Sequence, residues 1–351
     1  MPRVVIGLLA LLSTGLPLSP FSPASRSLPP VVREADKHKG MSYVHAWRRA
    51  ERRGYGSERS EASLERLRTL GVSWVSITPF GFQRTPQDTS IRWGGSRISE
   101  SDERLRAVTR QAHALGLRVM LKPHVWLRPP DWVGLIEHRS ERAWQTWFDA
   151  YAAFILHYAR LAEETEVDAL CIGNELARTT YREEDWRRVI GEIREVYAGP
   201  MTYGAVTEEV HDVPFWDALD YIGLSAYYPL VEAREPTRAA LVQAWQPIVA
   251  DLAALSGRWQ KPIVFTELGY RSADFGAWRH WEITADAPTN LASQANAYAA
   301  FFETVWPQPW FAGVYWWKWF SFLEDGGPTD NDFTPRRKPA EDAIAAGYGG
   351  H

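Results

Sequence analysis

The chain has 351 residues, 45% hydrophobic and 23% charged, with 18 Trp, 14 Tyr and 14 Phe. That apolar content is enough for a large core and excludes an intrinsically disordered chain. The net charge of −4, with basic residues scattered among acidic ones, excludes a protein built to bind a phosphate backbone.

In chain order, Arg3 precedes an apolar run from Val4 to Leu12, followed by small residues around Ser22-Pro23-Ala24. This pattern predicts a signal peptide over 1–24, a linker over 25–39 and a secreted or periplasmic mature protein. The apolar run is shorter than the ~20 residues of a spanning helix, so no membrane partner is expected after cleavage. The only cysteine is Cys171, so no intramolecular disulfide can form and packing alone must stabilise the mature chain.

From Gly40 onward, eight β-rich runs alternate with helical patterns. They are Gly40–Val44, Val72–Pro79, Arg118–Val125, Ala169–Glu175, Met201–Val206, Tyr221–Ala226, Pro262–Glu267 and Gly313–Trp317. After the second run, Leu105, Val108, Ala112 and Leu115 keep helical spacing, opened by Ser99 with Asp102 three residues on and closed by Gly116. Ser140 to Thr165 reads as a long buried helix carrying Trp144, Trp147, Phe148, Tyr151, Phe154, Ile155, Tyr158 and Leu161, and Ala239 to Leu255 as another ending at Gly257. Eight strands, each followed by a helical segment, with no long linker between them, predict an α/β protein: one (β/α)8 TIM barrel domain over 40–346 and a tail over 347–351.

Catalytic groups of such barrels stand at the C-terminal ends of the strands. Here those ends read Thr78-Pro79-Phe80, Lys122-Pro123-His124-Val125-Trp126, Gly173-Asn174-Glu175, Tyr227-Tyr228-Pro229, Thr266-Glu267 and Trp316-Trp317-Lys318-Trp319. A lone Glu after an apolar strand is ordinarily a solvated loop entry. Two, closing the fourth and seventh runs, converge across the barrel mouth. Alternation puts Cys171, Gly173 and Glu175 on one face, and Ile263, Phe265 and Glu267 on one face. Two carboxyls about 5–5.5 Å apart suit retaining glycoside hydrolysis, one attacking the anomeric carbon and the other protonating the leaving oxygen. Their repulsion would keep the acid protonated near neutrality.

Other chemistries find little support. Lys122 has no apolar setting that would make it a Schiff-base lysine. His45, His124 and His211 lack metal-ligand spacing. Dinucleotide, Walker-type and Gly-x-Ser-x-Gly motifs are absent, since Gly223-Leu224-Ser225 continues as Ala226-Tyr227. No cofactor and no metal are expected.

Asn174-Glu175 on the fourth run and Glu267 on the seventh resemble the signature of clan A glycoside hydrolases. Gly40-Met41-Ser42-Tyr43, Thr78-Pro79-Phe80-Gly81-Phe82-Gln83, Leu121-Lys122-Pro123-His124, Gly173-Asn174-Glu175, the run from Gly223 to Pro229, Phe333-Thr334-Pro335 and Lys338-Pro339-Ala340 are similar to glycoside hydrolase family 113. The resemblance spans about Gly40 to Ala340. Characterised members are chiefly β-1,4-mannanases, and the resemblance implies Glu175 as acid/base and Glu267 as nucleophile. By the same analogy Asn174 would bind the 2-hydroxyl of the sugar at the cleavage point. Tyr227 is placed to hold Glu267 ionised, with Tyr228 the alternative because parity there is open. Trp317 is expected as the platform beneath the reacting sugar, with Trp316 and Trp319 open between platform and core. His124 and Lys122 are expected to serve substrate hydroxyls, and Trp126 and Trp93 to stack further sugars.

The sequence thus reads as a secreted, monomeric, retaining endo-β-glycosidase acting on polysaccharide or oligosaccharide, mannan or glucomannan first. The alternatives are a hydrolase of xylan or glucan, and a catalytically silent carbohydrate-binding barrel.

Overall fold

The computed structural model describes residues 28–46, 50–94 and 100–349. The expected signal peptide and Ser99 lie outside the described residues.

Ten strands occur among the described residues: β1 His38–Val44, β2 Trp74–Ile77, β3 Phe80–Phe82, β4 Arg118–Leu121, β5 His124–Trp126, β6 Ala169–Asn174, β7 Met201–Val206, β8 Ile222–Ser225, β9 Ile263–Leu268 and β10 Phe311–Phe320. Eight of them close a barrel in the order β1-β10-β9-β8-β7-β6-β4-β2, every neighbouring pair parallel. The remaining two, β3 and β5, pair with each other outside it. They are the far ends of the runs expected as Val72–Pro79 and Arg118–Val125. Pro79 and Pro123 have no N–H to continue a ladder, so each run leaves the barrel at its proline and pairs again beyond it.

The helices are α1 Ala50–Arg53, α2 Glu58–Thr69, α3 Asp102–Ala114, α4 Glu141–Glu164, α5 Glu183–Arg194, α6 Arg238–Trp259, α7 Leu291–Thr304 and α8 Pro339–Tyr348. The N-cap of α3 is Ser101, whose hydroxyl accepts from the Arg104 amide, rather than the expected Ser99. Ser140 caps α4 in the same way, accepting from Ala143. Helix α6 runs past the expected stop at Gly257 and ends at Gln260, which takes the left-handed conformation there (φ 54°). One expected helix is missing. Between β7 and β8 only a single turn, Trp216–Ala218, forms, and the buried side chains of Val210, Val213, Phe215 and Trp216 fill the place of a helix.

Two layers make the core. Inside the barrel, Trp74, Met120, Ala169, Cys171, Val264, Ala312 and Tyr315 close one cluster, and His38 stacks on Trp74 at 3.8 Å and bonds the Tyr315 hydroxyl. The larger cluster lies between strands and helices. There α4 inserts Trp147, Phe148, Tyr151, Phe154 and Tyr158, all essentially buried, each contributing roughly 1.5–3 kcal/mol of hydrophobic stabilisation. Strand β1 opens at His38, so the last residues of the expected 25–39 linker belong to the barrel, and α8 extends through Tyr348 into the expected 347–351 tail.

Candidate active site

Glu175 and Glu267 reach the barrel mouth by a route that strict alternation does not give. In β6, Cys171 pairs with Thr202, but the next pair is Asn174 with Gly204, so three steps on β6 span two on β7. Cys171 points into the barrel, whereas a Cβ on Gly173 would run into Tyr151, Tyr203 and Trp186 of the wall. The expected shared face of Cys171, Gly173 and Glu175 is therefore broken by a bulge. Past it Asn174 bonds Ser225 (3.3 Å), and Glu175 follows in the left-handed region at φ 56°.

Strand β9 does the same. Ile263 and Phe265 face the wall, Phe265 against Trp245, Phe301 and Phe311. Leu224 pairs with Phe265 but Ser225 with Glu267, and on the other side Val314 pairs with Phe265 but Trp316 with Leu268. One extra residue in β9 turns Glu267 from the wall face to the mouth, because a one-residue slip exchanges the faces of a strand. Gly204 of β7 makes room beside these bulges: a Cβ there would lie 2.6 Å from Asn174 Oδ1 and 2.8 Å from Thr266 Oγ1.

The two carboxyls sit in opposite electrostatic settings. Glu267 Oε2 accepts from Lys122 Nζ at 2.8 Å and Oε1 from the Tyr227 hydroxyl at 2.8 Å. Burial alone would push the Glu267 carboxyl up, but the Lys122 ammonium, with the Tyr227 bond, outweighs it and holds the group below its ordinary value. Among the described residues no cation forms an ion pair with Glu175. Burial raises its carboxyl, the charge of Glu267 raises it further, and the bond from the Trp132 indole N–H to Oε2 (3.1 Å) only partly opposes this. The two carboxyls at this mouth are thus shifted in opposite directions, which is the condition for a pair to divide acid and base roles.

Both line a cavity of about 980 Å³, together with Tyr227 and Trp317. The peptide bond between Trp317 and Lys318 is cis. The open choice at β8 resolves to Tyr227, since Tyr228 turns edge-on to Trp245 in the wall. Trp316, stacked on Tyr298 at 4.1 Å, and Trp319, bonded to Ser63, are core. The other residues expected to meet substrate are not in the lining of this cavity. Lys122 is fully buried, with its ammonium donating to the Glu267 carboxylate and to the Thr266 carbonyl. His124 is outside the cavity lining and edge-on to Phe80. Burial, then Lys122, lowers its pKa to about 3, leaving a neutral ring. Asn174 is buried behind the lining. Trp126 is 41% exposed but leans on Phe82 outside the cavity, and Trp93 packs edge-on to Phe154.

Three lining residues carry no clear sequence signal. Trp132 stands in an irregular loop. His280 covers Tyr227 at 4.3 Å between ring centres, its pKa lowered to about 4 by burial. Glu209 is a buried carboxyl holding Val206, Tyr203 and Thr180, raised to about 7 by burial. The Glu208-Glu209 pair just beyond the fifth run was the one available pointer. Among the described residues no group of three His, Cys, Asp or Glu is placed to hold a metal ion, and no helix is long and apolar enough to cross a membrane.

Comparison with known proteins extends this geometry. The family profile of Glycoside Hydrolase Family 113 matches residues 42–338. The solved GH113 β-mannanase AaManA of Alicyclobacillus acidocaldarius, in complex with ManMIm, is 29% identical with a TM-score of 0.79, covering 89% of this chain and 97% of that one. A GH113 β-1,4-mannanase complex is 28% identical with a TM-score of 0.79, covering 90% and 100%. The β-glucuronidase of Ruminococcus gnavus, at 14% identity, a TM-score of 0.61 and coverage of 90% and 50%, shares the fold alone. No curated protein sequence matches the chain.

Proposed function

The chain belongs to glycoside hydrolase family 113, and from that membership we propose that it is a secreted, retaining endo-β-glycosidase cleaving β-1,4-linked mannan or glucomannan. The observation that carries the mechanism is the opposite setting of the two carboxyls: Glu267 held ionised by Lys122 and Tyr227, Glu175 raised by burial and by the Glu267 charge. Glu267 attacks the anomeric carbon while Glu175 gives its proton to the leaving oxygen, and a glycosyl ester forms on Glu267. Water then enters, Glu175 takes a proton from it, and the ester is released with the original anomeric configuration. Trp317 is the surface for the reacting sugar. The half-exposed indoles of Trp132 and Trp281 on the cavity wall support binding of a chain rather than of one sugar.

The mannan preference rests on the two solved neighbours named as β-mannanases. A silent binding barrel has no use for two oppositely shifted carboxyls lining one cavity, which favours the enzyme. Incubation with mannan, glucomannan, xylan, cellulose and β-1,3-glucan, with product sizes separated by chromatography and the first-formed anomer followed by proton NMR, tests the reading. Short β-manno-oligosaccharides released as the β-anomer support it; an α-anomer, single sugars only, or preference for xylan or glucan would overturn the corresponding part. Export is tested by the mature N-terminus of protein recovered outside the cytoplasm.

A further inference from the structure

The segment between β5 and α4 carries Trp132 as the residue before a single turn, Val133–Leu135. Its indole N–H reaches Glu175 Oε2 at 3.1 Å. Two features hold the ring there, and a third holds the carboxyl. Gly134 lies against it so closely that a Cβ would fall 2.2 to 2.5 Å from the six-membered part of the indole. Glu137, just beyond the turn, forms an ion pair at 2.8 Å with Arg178, three residues past Glu175. The Glu175 backbone is itself anchored, because the next amide, Leu176, donates to the Tyr203 hydroxyl at 2.9 Å. Carboxyl and indole are thus fixed from separate loops, those that follow β6 and β5, and their hydrogen bond joins two prearranged groups.

From this geometry we propose that Trp132 is a positioning residue for the acid, acting through Glu175 and assigning the catalytic proton to one of its two oxygens. An indole N–H donates and never accepts. The oxygen facing Trp132 therefore stays an acceptor in both protonation states, and the acid proton is confined to the other oxygen. The same bond favours the carboxylate, so it limits how far burial and Glu267 raise the group. The remaining charged and titratable groups facing Glu175 are accounted for. Glu267 and Lys122 lie across the mouth as an ion pair; Tyr227 is bonded to Glu267, Glu209 to Tyr203 and Thr180, and Arg178 to Glu137; His280 is neutral, and Glu208 and Asp212 line the cavity wall.

This inference rests on Glu175 being the acid, and its test has one arm that needs no catalysis. Trp132→Phe keeps a ring and loses the N–H, whereas Gly134→Ala keeps the indole and displaces it. In protein labelled with 13C at the Glu carboxyls, with the Glu175 signal assigned by its loss in Glu175→Gln, both variants should titrate Glu175 about half a pH unit or more above wild type. The basic limb of kcat/KM should move up by the same amount, and cleavage of mannan should fall by more than cleavage of an aryl mannoside with an activated leaving group. A Glu175 midpoint unchanged in both variants overturns the proposal whatever the activity. Equal losses on both substrates with the midpoint raised would show that the bond exists but does not place the proton, and would overturn it too. A midpoint that rises in an enzyme without glycosidase activity would instead overturn the reading of Glu175 as the acid.

Discussion

Lys122 Nζ and Glu267 Oε2 meet at 2.8 Å, the lysine with no exposed side-chain surface and the glutamate with 10%. Such a pair is weak evidence of stability, because desolvation offsets much of the attraction, but breaking it is costly since a buried charge remains. Its value here is chemical: it keeps one of two neighbouring carboxyls ionised.

Replacing Lys122 by Met removes the charge and keeps most of the volume. The variant should lose about 3–5 kcal/mol of stability at neutral pH, read as a lower denaturant midpoint. The sign follows from Glu267, whose folded-state value is depressed. Its contribution is present above the unfolded carboxyl range, ~4.3, and is lost as the pH falls through the folded value. The stability difference between wild type and variant should therefore shrink below that range, and the acid limb of kcat/KM should move to higher pH. A variant as stable as wild type, with an unmoved acid limb, would remove Lys122 from this role.

Tyr227→Phe deletes the second bond to Glu267 and nothing else of the ring. One hydrogen bond to a charged group predicts a drop in kcat of about tenfold and a smaller upward move of the acid limb than in Lys122→Met. Rates over a pH series in both variants check the ranking. Tyr228→Phe, placed in the wall, should leave the profile unchanged.

Adjacent tryptophans should divide by role. Trp316→Ala empties a space between Tyr298 and Phe301 and should cost about 3–5 kcal/mol. Trp317→Ala opens onto the cavity and should change stability little while lowering kcat/KM on oligosaccharides at least tenfold, as loss of a stacking surface implies. Melting and kinetics on the two proteins separate the cases.

Glu175→Ala should lose activity on mannan by orders of magnitude, yet retain a fast first step on aryl glycosides whose leaving groups need no proton. Added azide should then accelerate turnover and yield the β-glycosyl azide. Equal losses on both substrates, without azide rescue, would argue against Glu175 as the acid.

The barrel was legible because strand runs and helical spacing repeat, and because the Pro, Gly and Ser residues that interrupt them act through the backbone itself. Both carboxylates were legible as the last residues of their runs. Their faces are not legible, since β6 breaks alternation between Cys171 and Asn174 and β9 breaks it after Phe265, and a bulge leaves no mark in a pattern of apolar residues. The Lys122–Glu267 pair is not legible, because a lysine beside a strand end does not reveal which carboxylate crosses the barrel to meet it. Trp132 and His280 lie at single turns within long loops, whose course depends on docking against other loops rather than on local spacing. Trp316 and Trp317 differ only in which side of one strand they occupy.

The central claim is that a glycosyl ester forms on Glu267. Incubation with a 2-deoxy-2-fluoro-β-mannoside bearing a good leaving group, followed by proteolysis and mass spectrometry of the peptides, tests it most directly. The expected result is time-dependent inactivation with one fluorosugar on the peptide containing Glu267 and none in Glu267→Gln. A fluorosugar on Glu175, or hydrolysis of natural substrate with inversion and no adduct at all, would contradict it.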